Sequence, residues 1–102
     1  MTFKLSAKSQ VKLSLVHKDL QAVVEEAIKH TTIDFTVLEG LRTLERQKAL
    51  VAAGASQTMD SRHLTGHAVD LGAMVDGKID WHPILYNQIA NAMLAAGAKL
   101  HI

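Results

Sequence analysis

One hundred and two residues suffice for one domain with a modest core and not for two. Eleven Lys and Arg against ten Asp and Glu leave a net charge of +1, which excludes both a basic field for nucleic acid and an acidic one for cationic partners. Cysteine is absent, so disulfides and thiolate metal sites are excluded, and any metal must sit on His, Asp or Glu.

The first twenty residues, MTFKLSAKSQVKLSLVHKDL, alternate polar and apolar side chains and never reach a signal-peptide core. No apolar run approaches a membrane span, the longest candidate being residues 90–98. The expectation is a soluble chain, cytoplasmic as synthesised, with no membrane partner. Leu20, Val23, Val24, Ala27 and Ile28 then fall at helical spacing, with Lys18, Asp19, Glu25, Glu26 and Lys29 on the other face. His17 and His30 flank this helix as surface or capping residues. In TIDFTVLEG, Ile33, Phe35 and Val37 alternate with Asp34 and Thr36, which predicts a half-buried strand ending at Gly40. Thr43 is placed to cap a helix running to about Ala53, with Gly54 as its stop.

ASQTMDSR reads as a loop. Beyond it, Asp76-Gly77 between Met74-Val75 and Lys78-Ile79 is a hairpin-turn signal. Pro83 suits the first turn of a last helix with Leu85, Ile89, Ala92, Met93 and Ala96 as its apolar stripe and Gly97 as its end. The order helix, strand, helix, loop, hairpin, helix predicts a single α+β domain over residues 1–102, with a small antiparallel sheet and helices packed on it.

The stretch SRHLTGHAVDLGA, residues 61–73, places Asp70 between Val69 and Leu71, and a carboxylate among apolar neighbours needs a hydrogen bond, a cation or a metal. Gly66 can turn the chain sharply into a strand on which Ala68 and Asp70 share one face. His63 can then fold back over that face. A histidine nitrogen and a carboxylate oxygen converging there are two of the three protein ligands of a catalytic zinc; they are equally the two halves of a structural hydrogen bond. His67 is placed on the opposite face, partly exposed.

Ser61-x-His63-x-x-Gly66-x-Ala68-x-Asp70 resembles the SxHxxGxAxD signature of the zinc D,D-peptidases and their relatives, which include the VanX/VanY type and the phage L-alanyl-D-glutamate endolysins. Upstream, Gly40-Leu41-Arg42-Thr43-x-x-x-Gln47 is similar to the G-x-R-[ST]-x-x-x-Q stretch of the same family, and Lys78-Ile79-Asp80-Trp81 resembles its phage endolysins. The resemblance implies a Hedgehog/D,D-peptidase-like fold and amide hydrolysis in peptidoglycan stem peptides, at an L-Ala-D-Glu or a D-Ala-D-Ala bond. It implies zinc (Zn2+) held by His63 and Asp70, and Arg42 acting on substrate or on the oxyanion; the alternative for Arg42 is a surface salt bridge with Glu39 or Glu45. Ser61 is expected to contact substrate or to cap its turn, and Gln47 to be structural. Release through a holin pore would bring such an enzyme to the cell wall.

The family pattern continues past the last helix into strands that carry a catalytic Glu or Asp and a third zinc ligand, a His. The chain is therefore expected to lack those C-terminal strands. Neither His82 nor His101 is a convincing substitute, so weak zinc binding, poor hydrolysis and self-association through an exposed sheet edge are expected. The alternatives are a non-catalytic relative that binds metal or cell wall, and a structural domain with no metal.

Overall fold

A first helix, α1 (Ala7–Leu13), precedes everything that the hydrophobic periodicity predicts. Ser6 caps it by accepting from the Ser9 amide at 3.1 Å. Its inward positions are Ser9 and Leu13, and Leu5 before it and Val16 after it are buried as well. Ser9 breaks the apolar pattern because that hydroxyl works as a cross-link. It lies 2.7 Å from Thr36 Oγ1 and accepts from the Val37 amide at 2.9 Å, tying α1 to the first strand.

The structure, a computed structural model, describes residues 3–56, 58–59 and 61–102. After α1 come α2 (Lys18–His30), β1 (Asp34–Glu39), α3 (Leu44–Ala52), a 3-10 turn (Arg62–Thr65), β2 (Asp70–Val75), β3 (Lys78–Ile79) and α4 (Pro83–Leu100). The three strands form an antiparallel sheet in the order β1-β2-β3, so the α+β expectation holds. Asp76 (φ 52°) and Gly77 (φ 79°) both take positive φ, as a two-residue hairpin turn requires. Thr43 caps α3 and Gly54 (φ 75°) follows its end, both as expected. The loop expected over residues 55–62 lies partly outside the described residues.

The core is one cluster in which Val24, Ala27 and Ile28 of α2 and Ile89 and Ala96 of α4 meet Phe35, Val37 and Ala73 of the sheet. Lys99 near the end of α4 reaches Glu26 of α2, which also bonds His30, and these two hydrogen bonds, that of Lys99 foremost, hold the Glu26 carboxyl below the usual range. Gly97 does not end α4, contrary to the expectation drawn from its composition. Ala98, Lys99 and Leu100 are good helix formers and Leu100 packs on the core, so the helix runs on to a left-handed His101. Strand β2 begins only at Asp70, leaving His67 and Ala68 in the extended approach to it rather than within the strand. No helix among the described residues is long and apolar enough to cross a membrane.

Two local features aim the site. A bulge in the β1-β2 ladder between Val37 and Glu39 puts Glu39 directly opposite Asp70, at the end of the sheet. Beyond it, Gly40 lies so close to the α1-α2 connection that a Cβ there would meet Val16 Cγ1 at 2.8 Å and the Lys12 carbonyl at 2.9 Å.

Candidate metal centre

His63 reaches its place through main-chain contacts on both sides. Ser61 caps the 3-10 turn by accepting from the His63 amide at 3.2 Å, and Gly66 closes the turn in the left-handed region at φ 76°. The Arg42 amide donates to the His63 carbonyl at 2.8 Å, and the His17 amide donates to the Gly66 carbonyl at 2.7 Å. The turn that carries His63 is thereby pinned to the end of β1 and to the start of α2.

The imidazole of His63 is buried and its Nδ1 lies 2.7 Å from the Gly40 carbonyl. A carbonyl only accepts, so Nδ1 carries the proton and Nε2 is turned the other way. There Nε2 meets Asp70 Oδ2 at 3.4 Å, and the Asp70 side chain is 54% exposed. In neutral His63 two lone pairs thus face each other across a gap open to solvent, an opposition that a cation between them would relieve. The separation is also longer than the roughly 2.7–2.9 Å of a charge-assisted N–H···O bond. Zinc at about 2.0–2.1 Å from each of two tetrahedral donors sets them about 3.3–3.4 Å apart. The donor pair fits that ion. Among the described residues no group of three or more His, Asp or Glu gathers into a metal cage.

Arg42 lies in the same cluster, its Nη2 3.8 Å from Asp70 Oδ2. Its side chain is only 9% exposed and that of Glu39 26%, so the Glu39 partner named in the sequence alternative is present, in a part-buried pair rather than a surface one. Nε and Nη2 donate to the two oxygens of Glu39 at 2.8 and 3.0 Å, and Nη1 donates to Gln47 Oε1 at 2.7 Å. The guanidinium holds the Glu39 carboxyl below its ordinary range, against the opposing effect of burial; Glu39 in turn raises Arg42. Glu45, the other proposed partner, is not bonded to Arg42 among these contacts.

Of the remaining expected residues, Ser61 is engaged in capping its turn. His67 is exposed and stands away from the pair, its Nδ1 2.8 Å from Thr65 Oγ1 and its ring stacked on His17 at 4.9 Å. His82 Nδ1 accepts from the Ile84 amide and caps α4, while His101 ends that helix. Sequence reasoning named Glu39 as a possible partner of Arg42 but missed the Gly40 carbonyl behind His63. The adjacent Glu39-Gly40 at the end of a predicted strand was the available signal.

A sheet end that presents a His/Asp pair beside a clamped arginine defines a class, and comparison with known families identifies it. The model of the phage L-alanyl-D-glutamate peptidase family matches residues 1–102, and the chain belongs to that family. It is 34% identical over 106 residues to the L-alanyl-D-glutamate peptidase of Escherichia phage T5, covering all of this chain and 77% of that protein. To the L-alanyl-D-glutamate peptidase of Listeria phage A118 it is 50% identical over 50 residues, 48% of this chain and 17% of the relative. Among solved structures, the Serratia marcescens L-Ala D-Glu endopeptidase ChiX superimposes with a TM-score of 0.91 at 44% identity, over 97% of this chain and 75% of that one.

Proposed function

We propose that this chain is a zinc-dependent endopeptidase that hydrolyses the L-Ala-D-Glu bond of peptidoglycan stem peptides, in the manner of a phage endolysin. The observation that carries the metal is the opposition of His63 Nε2 and Asp70 Oδ2 at 3.4 Å with Nδ1 committed to Gly40. The choice of bond, over the D-Ala-D-Ala alternative, rests on family membership and on the names of the relatives.

His63 and Asp70 would hold the ion, His63 from a buried and rigid position and Asp70 from the solvent-facing rim. When bound, zinc supplies Lewis-acid polarisation of the scissile carbonyl and brings the pKa of a water towards about 7. Arg42 keeps N–H groups beyond those given to Glu39 and Gln47, and with them can pair a substrate carboxylate or a developing oxyanion. Glu39 is poorly suited to take the water's proton, because the guanidinium holds it as a weakly basic anion. Its role is to fix Arg42.

The second reading is metal or cell-wall binding without turnover, favoured by the count of two donors among the described residues. Zinc titration by calorimetry on the wild type, His63→Ala and Asp70→Asn, with mass spectrometry of a purified stem peptide, separates the readings. One zinc per chain, lost in both variants, with new L-Ala C-termini and D-Glu N-termini, is the result expected. Zinc uptake without cleavage supports the binding reading, and uptake unchanged in both variants refutes the site.

A further inference from the structure

Gln47 is an amide with none of its surface exposed, on a helix whose other residues are half-buried or exposed. Burial of so polar a side chain is tolerated only because both ends are spoken for. Oε1 accepts from Arg42 Nη1 at 2.7 Å; Nε2 donates to Ser56 Oγ at 2.9 Å and to the Thr58 carbonyl. We propose that Gln47 is a positioning residue of the peptidase site: it fixes the third nitrogen of Arg42 and latches Ser56 and the Thr58 carbonyl to it, so that one side chain sets where the guanidinium points. The inference rests on the proposed peptidase reading for its consequence in catalysis, and on geometry alone for its structural part.

Glu39 grips the Nε/Nη2 edge of the guanidinium and would by itself leave the group free to pivot about that edge. Gln47 takes a second, separate edge. With both in place the rotation is blocked, and Nη2 stays 3.8 Å from Asp70. A charged fork held in this way loses little freedom when it receives a substrate carboxylate. An unclamped one loses more, and receives it less accurately.

Three variants of the full chain separate this role from plain packing. Gln47→Met keeps the shape and removes all three bonds. Gln47→Glu keeps an acceptor for Arg42 and removes the donor to Ser56 and Thr58, and Ser56→Ala loosens the latch alone. The first readout needs no metal and no turnover: the side-chain Nη–H signals of Arg42 in 15N NMR, whose rotation about the Cζ–Nη1 bond and exchange with water report the nitrogen that Gln47 holds. The second is the division of stem-peptide hydrolysis into kcat and KM in the zinc-loaded protein. The expected result is fast exchange at Arg42 in Gln47→Met and a KM raised about tenfold to a hundredfold, the scale of a misplaced positioning group. Gln47→Glu retains the Arg42 signal and a KM within about threefold of wild type, because an acceptor for Nη1 remains. Unchanged Arg42 exchange and kinetics in Gln47→Met would overturn the proposal; so would equal losses in Gln47→Met and Gln47→Glu that merely follow a lowered melting temperature. Should Gln47→Met not fold, the wild type and Gln47→Glu decide: slow rotation and exchange at Nη1 in both is the result expected, and a wild-type Nη1 already in fast exchange would overturn the clamp. Absence of hydrolysis by the wild type refutes the peptidase reading, while the Arg42 signals still decide the clamp.

Discussion

A methyl group added at Gly40 strains the support behind His63 without touching either donor of the proposed metal pair. The Cβ of Gly40→Ala would stand 2.9 Å from the Lys12 carbonyl and 2.8 Å from Val16 Cγ1, where ordinary contact begins at 3.4 Å. Val16 can turn aside, but the Lys12 carbonyl is main chain at the end of α1 and cannot. Residue 40 must therefore retreat by about half an ångström, and its own carbonyl, which orients His63 Nδ1 at 2.7 Å, moves with it. Overpacking of this kind costs about 1–3 kcal/mol. At about 4–8 °C per kcal/mol for a domain of this size, the melting temperature falls measurably. Loss of a partner that orients a ligating imidazole reduces metal affinity about tenfold to a hundredfold. Differential scanning calorimetry and zinc titration of Gly40→Ala against wild type measure both effects. A variant that melts with the wild type and binds zinc equally well would refute both the close approach and the orienting role of the carbonyl.

Ser9→Ala removes the acceptor for the Val37 amide and the partner of Thr36, and is expected to cost about 1–3 kcal/mol in urea unfolding, as for a buried donor left unpaired. Acid titration tests the Glu39-Arg42 pair: folding lowers the Glu39 pKa, so its stabilisation is complete above the ordinary carboxyl value of about 4.3 and is lost as pH falls through the folded value. Glu39→Gln should flatten the stability profile in that acid window, and an unchanged profile by circular dichroism counts against the pair. Lys99→Met should lower the melting temperature slightly at low salt and not at high salt, since the Glu26 pair it breaks is solvent-exposed at its cationic end.

The parts of the fold legible in the sequence are those where a local pattern and a tertiary role coincide. Helix α2 shows its apolar stripe, β1 alternates, and Asp76-Gly77 turns because both residues accept positive φ. Helix α1 stayed hidden because one of its inward positions is Ser9, whose value lies in Thr36 and Val37, 27 and 28 residues away. Gly97 misled because helix propensity beyond it, with burial of Leu100, outweighed a single glycine. At the site, the approach of His63 to Asp70 followed from the Gly66 turn and from residue spacing. Of the Arg42 clamp, Glu39 and Gln47 were singled out in the sequence, but not that both close on one guanidinium, because the bulge in β1 and the burial of the Gln47 amide arise only from the fold.

The His63 turn is held by the amides of residues 42 and 17 rather than by their side chains. Every amino acid except proline brings that donor with it. The imidazole therefore keeps its address whatever becomes of the side chains at these two positions: loss of the guanidinium from residue 42 would empty the grip of Glu39 and Gln47 and leave the turn that carries His63 in place. At either position, proline is the one replacement that would sever the anchor itself.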